Sequence, residues 1–228
     1  MLSRRIAVAF MLFLLGVSLS PAASAQFRMG PPRISGVWNP VVGSGAVYNM
    51  TGGRGGASQM QFAIVGKEEI DGATGYWVEV AFDNAEMGGE TVFRTLTVAS
   101  GDQMENKKTI MQMPGQPPME MPTGGPMGGP RGNRPQPSDI RKDKDVVLIG
   151  TESIIVPAGT FTCQHFHNNT TGGDSWVAAA AGPYGLVKSV SREGEMVLAK
   201  VLTGAKSKIT GTPVPFDPMR MMGQRPNG

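Results

Sequence analysis

Cys163, His165 and His167 alternate along one short stretch, Cys163-Gln164-His165-Phe166-His167, and the two histidines are the only ones in the chain. In a β-strand, residues two apart share a face. A thiol and two imidazoles would therefore line up, a donor set suited to zinc or copper. Methionines between Met113 and Met127 offer soft thioether ligands for cuprous ion. Against convergence, side chains two apart on one strand stand about 7 Å from each other, too far to meet on one ion unless the strand bends. The alternative is a half-buried strand in which Cys163 packs as a small apolar group.

Nucleophilic catalysis has less behind it. There is no Gly-x-Ser-x-Gly elbow, and no orienting carboxylate stands obviously near the histidines in sequence. Cys163 with a histidine two residues on does not make a thiol dyad on a flat strand. Glu68-Glu69 reads as a solvated pair. Gly52-Gly53-Arg54-Gly55-Gly56 precedes a strand pattern instead of a helix, which favours a hairpin loop over a phosphate cradle. The Asn-x-Thr matches at Asn49, Asn168 and Asn169 matter only in a host that glycosylates. The expectation is a protein that is not an enzyme and uses no cofactor.

The elements that must position these residues read as strands. Tyr76, Val78, Val80 and Phe82 alternate with Trp77, Glu79, Ala81 and Asp83, the period-two pattern of a half-buried strand. The same reading gives strands at Ala46–Met50, Gln59–Val65 (Met60, Phe62 and Ile64 on one face), Glu90–Val98 and Lys107–Met113. Later candidates are Val146–Gly150, Ser153–Val156, Phe161–Asn168, Ser175–Ala180, Gly185–Ser191 and Glu195–Leu202. Asp71-Gly72, Pro157-Ala158-Gly159 and Glu193-Gly194 supply turns. Trp77 shares its face with Glu79 and Asp83, which leaves it either in the core or at the mouth of a cavity. Residues 112–140 are loaded with Pro and Gly and carry Met113, Met119, Met121 and Met127, so they read as an excursion at least partly disordered. The expected fold is all-β and mainly antiparallel: a strongly curved sheet or half-open barrel with little helix.

The ends of the chain indicate its compartment. Arg4 and Arg5, the apolar run Ile6–Leu19, the break at Pro21 and Ala23-Ser24-Ala25 make the three parts of a secretory signal. The run is shorter than the roughly 20 residues that span a bilayer. Residues 1–25 are thus expected to be cleaved, leaving a flexible lead (26–33), one β domain (34–211) and a loose tail (212–228). Without Arg4 and Arg5 the chain holds 19 basic and 18 acidic residues, a charge of +1. That balance gives no electrostatic reason to expect nucleic acid or an anionic membrane as partner. The single cysteine excludes an internal disulfide, so the fold must stand on its hydrophobic core.

Several segments together resemble bacterial exported proteins of unknown function related to the periplasmic lipoprotein carriers of the LolA/LolB type. They are Ala63–Glu68, Tyr76–Glu79, Gln116–Pro122, Gly150-Thr151-Glu152, Val156-Pro157-Ala158-Gly159-Thr160-Phe161-Thr162-Cys163 and Pro183-Tyr184-Gly185-Leu186-Val187-Lys188. The resemblance implies a curved antiparallel sheet that holds acyl chains in an apolar cavity, although a clear lid helix is missing. It also favours the packed reading of the strand with Cys163 and the histidines.

The leading expectation is therefore a periplasmic or secreted, non-enzymatic envelope protein that binds a lipid or other apolar small molecule. Phe62, Ile64, Tyr76, Val78, Val80 and Phe82 would line its site. The alternatives are copper or zinc binding at Cys163, His165 and His167, and an interaction protein that meets an envelope protein partner through its Met-rich loop. After signal cleavage nothing in the sequence is expected to span a membrane.

Overall fold

A computed structural model describes residues 36–52, 58–84, 88–101, 103–122, 136–137, 139–192 and 194–217. The signal segment, the lead up to residue 35, most of the Gly52–Gly56 loop, Met127 and residues 218–228 lie outside the described residues.

Among the described residues, thirteen strands form one sheet: β1 (Gly45–Thr51), β2 (Ser58–Ile70), β3 (Ala73–Asn84), β4 (Gly89–Ser100), β5 (Gln103–Gln112), β6 (Met119–Met121), β7 (Gln136–Pro137), β8 (Val146–Val156), β9 (Gly159–Asn168), β10 (Gly173–Val177), β11 (Leu186–Ser191), β12 (Gly194–Leu202) and β13 (Val214–Pro215). The spatial order is β13-β6-β5-β4-β3-β2-β1-β12-β11-β10-β9-β8, with β7 also on β5. All pairs are antiparallel except β13 on β6. The path does not close, so the fold is a single curved, open sheet, as the alternating patterns predict. The only described helical segment is a 3-10 turn at Ile140–Lys142, capped by Asp139.

Two meanders, β1–β5 and β8–β12, meet at one seam. There β1 pairs with β12, with Tyr48 opposite Leu198 across a bulge after Val47. Local chemistry explains the meanders. Asp71 and Gly72 both have positive φ (53° and 76°), the two-residue turn whose twist matches the flanking strands.

The sheet curls over this seam. Tyr48, Met60, Phe62, Ile64, Val78 and Val80 from the first half pack in one buried cluster with Val156, Cys163, Leu186, Val187 and Leu198 from the second. The β8–β9 turn reaches β12, where the Ala158 amide donates to the Leu198 carbonyl at 3.3 Å. Tyr48, wholly enclosed, donates its hydroxyl to the Leu186 carbonyl at 3.0 Å, and burial holds its phenol far above the usual range.

The opposite face of β3–β5 is covered by the chain after β12. Ile209 packs on Ala81, Val92 and Ile110. The buried Glu79 carboxylate accepts bonds from the Ser207 hydroxyl and from the Lys208 amide at 2.7 Å. A buried carboxylate is tolerated only when its oxygens are satisfied in this way. Farther on, Val214 and Phe216 leave that face, pair beside β6 and join Phe93, Met111, Met119 and Met121 on the face that carries Val80 and Phe82. Within the tail that the sequence reads as loose, Val214 and Pro215 pair with Met119 and Glu120 of β6. Met119 and Met121 of the Pro/Gly-rich stretch are buried on β5. Residues 123–135 of that stretch lie outside the described residues.

Leu198→Ala, at the centre of the seam, is expected to cost about 2–5 kcal/mol in urea unfolding. Ile155→Ala, at 84% exposure on β8, is expected to change the stability of the dilute, monomeric chain by about 0.5 kcal/mol or less.

Candidate functional site

The six residues expected to line an apolar site do share one face of β2 and β3. Phe62, Ile64, Val78 and Val80 are almost fully buried, and Tyr76 and Phe82 pack against the same cluster. Aromatic rings close around them. Phe62 meets Tyr48 and Tyr184 edge-on with centroids 6.2 and 6.1 Å apart, and Trp38 packs between Tyr76 and Tyr184. Four of the six positions are thus enclosed by the protein's own side chains. A described depression of about 120 Å³ lies at the outer end of β2–β3, lined by Met60, Phe82, Asp83, Glu90 and Lys208 among others. Of the six, only Phe82 touches it. Trp77, ambiguous in sequence, lies on the other face. It packs beside the Ile209 cluster, donates its indole N–H to Glu68 at 3.0 Å and carries the Arg94 guanidinium 5.2 Å from its ring centre.

The second candidate set is resolved by β-ladder register. Cys163 stands opposite Glu152 of β8, His165 opposite Trp176 of β10, and His167 opposite Asp174. His165 Nε2 and His167 Nδ1 both lie 3.0 Å from the same oxygen, Asp174 Oδ1. The other nitrogen of His165, Nδ1, faces Glu152 Oε1 at 3.0 Å, and that oxygen also accepts the Trp176 indole N–H at 2.7 Å. The imidazole of His165 stacks on Trp176 with centroids 4.3 Å apart. Lys188 of β11 sits 5.5 Å from the Trp176 ring centre and pairs with Glu195 of β12 at 2.6 Å. One polar row therefore crosses five strands, from Glu152 on β8 to Glu195 on β12.

This row corrects one expectation and bears on another. Orienting carboxylates do exist for the histidines: Asp174, seven residues beyond His167, and Glu152 on the preceding strand. The signal for Asp174 was present in the sequence, because the short Asn169–Gly172 turn sets Asn168 opposite Gly173 and hence His167 opposite Asp174. The metal expectation finds no converged ligand set. Among the described residues, no group of three or more His, Cys, Asp or Glu side chains is disposed to hold a metal ion. Cys163 is fully buried, and its thiol lies 3.6 Å from the Phe161 carbonyl. Burial and the nearby Glu152 carboxylate push that thiol up, disfavouring the thiolate that a metal or an electrophile needs.

Burial of Asp174 by itself would raise its carboxyl. Hydrogen bonds from His167 and His165, with their charges, outweigh that and hold it below the usual carboxylate range. The row behaves as a cross-strand clamp on an otherwise narrow set of strands, since β10 has only five residues.

Exposed large apolar side chains lie elsewhere: Val41 and Val42 before β1, Val201 on β12, and a group of four on one strand. Val147, Leu148, Ile149 and Ile155 are all exposed and all belong to β8, the terminal strand of the sheet.

Comparison with known proteins gives distant likenesses. No protein-family model matches the chain, and a search of curated proteins gives no match. Among solved structures, one similar chain is described as a lipoprotein from Parabacteroides distasonis. It is 15% identical with a TM-score of 0.37, over 75% of this chain and 100% of that one. Another is described as an exported protein with a YmcC-like fold from Bacteroides fragilis, 13% identical with a TM-score of 0.35, over 74% of this chain and 99% of that one. Neither description names a lipoprotein carrier.

Two outcomes check this geometry. In the folded protein Cys163 is expected to resist a thiol-titrating reagent at neutral pH and to react fully only after denaturation. Asp174→Asn is expected to cost about 1 kcal/mol at neutral pH, a modest value because the site is partly open to solvent. A depressed carboxyl contributes its stability above its unfolded-state value and loses it as pH falls through the folded value. The two proteins should therefore differ most above the ordinary carboxylate range and converge as pH falls below it.

Proposed function

We propose that the mature chain acts outside the cytoplasm as a non-catalytic binding protein that works through its surface, not through an internal ligand cavity. The observation that carries this reading is where apolar side chains go. The interior positions that resemble a ligand site are packed by Tyr48, Tyr184, Leu186 and Leu198, whereas four exposed apolar side chains are gathered on one strand, β8. An open strand edge offers both backbone hydrogen bonds and side-chain contact, which is how sheets recruit further chains. The export part rests on the basic start, apolar run and Ala23-Ser24-Ala25 site at the N-terminus. The partner class is protein. Lipid transfer in the manner of the carriers that the sequence resembles would require an acyl chain to displace the aromatic cluster around Phe62.

Photo-crosslinking in the envelope separates these readings. A benzoyl-phenylalanine at position 155 is expected to give protein-sized adducts, and one at position 62 none. A lipid-mass adduct from position 62, or no protein adduct from position 155, would contradict the surface reading.

A further inference from the structure

Natural sheets blunt their edges with charge, proline or short strands. β8 has 11 residues, one charged side chain (Glu152) and no proline, and among the described residues nothing pairs with its outer side. Ile155, Ile149 and Leu148 are 84, 59 and 55% exposed. The composition has a further feature: apolar residues stand at both ends, Val146–Ile149 and Ile154–Val156, around a small and polar middle, Gly150–Ser153. A strand built this way matches its own reversed copy.

We propose that β8 pairs antiparallel with β8 of a second copy of this chain, about a twofold axis at Thr151. The proposal rests on the surface-binding reading and names the partner. In such an isologous pair the residue on the axis faces itself, so the alternatives are few. An axis at Glu152 sets two carboxylates against each other. An axis at Ser153 sets Glu152 against Ile154. An axis at Gly150 falls on the β-bulge at Ile149, where the ladder is already interrupted. An axis at Thr151 sets Glu152 against the bulged Gly150, and like charges are not directly opposed.

Beyond the bulge, Leu148 then meets Ser153, Val147 meets Ile154, and Val146 meets Ile155. The faces agree. Val147 and Ile154 stand opposite His167 and Phe161 of β9, which are on one face, while Val146 and Ile155 stand opposite Asn168 and Thr160 on the other. Each contact occurs twice by symmetry. The mature charge of +1 raises no long-range barrier between copies. Glu152 does not resist the pairing, because its carboxylate is turned to His165 and Trp176 of its own sheet.

The test uses the purified mature chain. Directly opposed residues in an antiparallel pair have Cα atoms about 4.5–5.5 Å apart, within the range a disulfide bridges. Under mild oxidation Thr151→Cys is expected to form a covalent dimer at least about ten times faster than Ser153→Cys, whose counterpart lies off the axis. Sedimentation of the unmodified chain should show a concentration-dependent dimer. Ile155→Lys should weaken it at least about tenfold, since it places a charge against Val146 at two symmetric positions. A chain that stays monomeric, or equal cross-linking rates at 151 and 153, overturns the pairing. If position 155 gives adducts to a different protein in the envelope while the purified chain is monomeric, self-pairing fails and the surface reading stands. If no protein adduct forms at all, both fail.

Discussion

The structure depends on the pairing of β1 with β12. Each meander alone could bury only part of one apolar face. The seam places Tyr48 beside Leu198 and brings Phe62, Ile64 and Val80 from one half against Leu186 and Cys163 from the other. The curl of the sheet follows, because the β8–β9 turn must approach β12 for Val156 and Cys163 to be covered. Burial at the seam comes from residues about 150 positions apart, so it appears only when both halves are folded. Loop closure over that distance is costly but grows only slowly with length.

This constraint also decides what the candidate residues can do. A face that resembles the lining of an apolar site becomes interior once the second meander lies over it. The histidines, on the same face but farther along β9, fall beyond the covered zone and are held by carboxylates. Cys163, two residues before His165, falls inside it. One strand thus carries a buried thiol and half-exposed imidazoles, and alternation puts them on one face without making them one site. On the far side of the β1–β5 meander, the strap from Ser207 to Ile209 supplies the second layer that the central strand β4 needs, since β4 is buried on both faces, while Val214 and Phe216 pair at the β6 edge and pack with Phe93 and Met111 on the other face. Glu79 anchors that strap from beneath.

Much of the fold was legible locally. The alternation from Tyr76 to Phe82, the Asp71-Gly72 turn and the scarcity of helical patterns are short-range signals, and most strands stand where they point, although Val146–Gly150 and Ser153–Val156 are one strand and Ser175–Ala180 ends at Val177. The β1–β12 pairing was not legible, because no local feature of Ala46–Met50 selects Glu195–Leu202 over another strand. Met119–Met121 and Val214–Pro215 were hidden by the surrounding Pro and Gly, whose local preference is overridden when the methionines and Phe216 find apolar surface. For the candidate site, the face shared by Cys163, His165 and His167 was readable. Their partners were only half so, as Asp174 follows from a hairpin turn but Glu152 needs the register of β8, including its bulge. Val146–Ile149 illustrates the limit most sharply. The run reads as a strand, but β8 lies at the end of the sheet, and whether such a strand is buried depends on a neighbour that sequence does not reveal.

The most direct test of the account is amide hydrogen exchange of the mature chain, followed by mass spectrometry of its peptides. If the seam organises the fold, peptides from β1, β2, β11 and β12 should exchange slowest and together, opening only with global unfolding. In dilute solution, where the chain is monomeric, peptides from β8 should exchange faster, as expected for a strand with one free edge. Early exchange at β1 and β12, with the two meanders opening independently, would contradict the account.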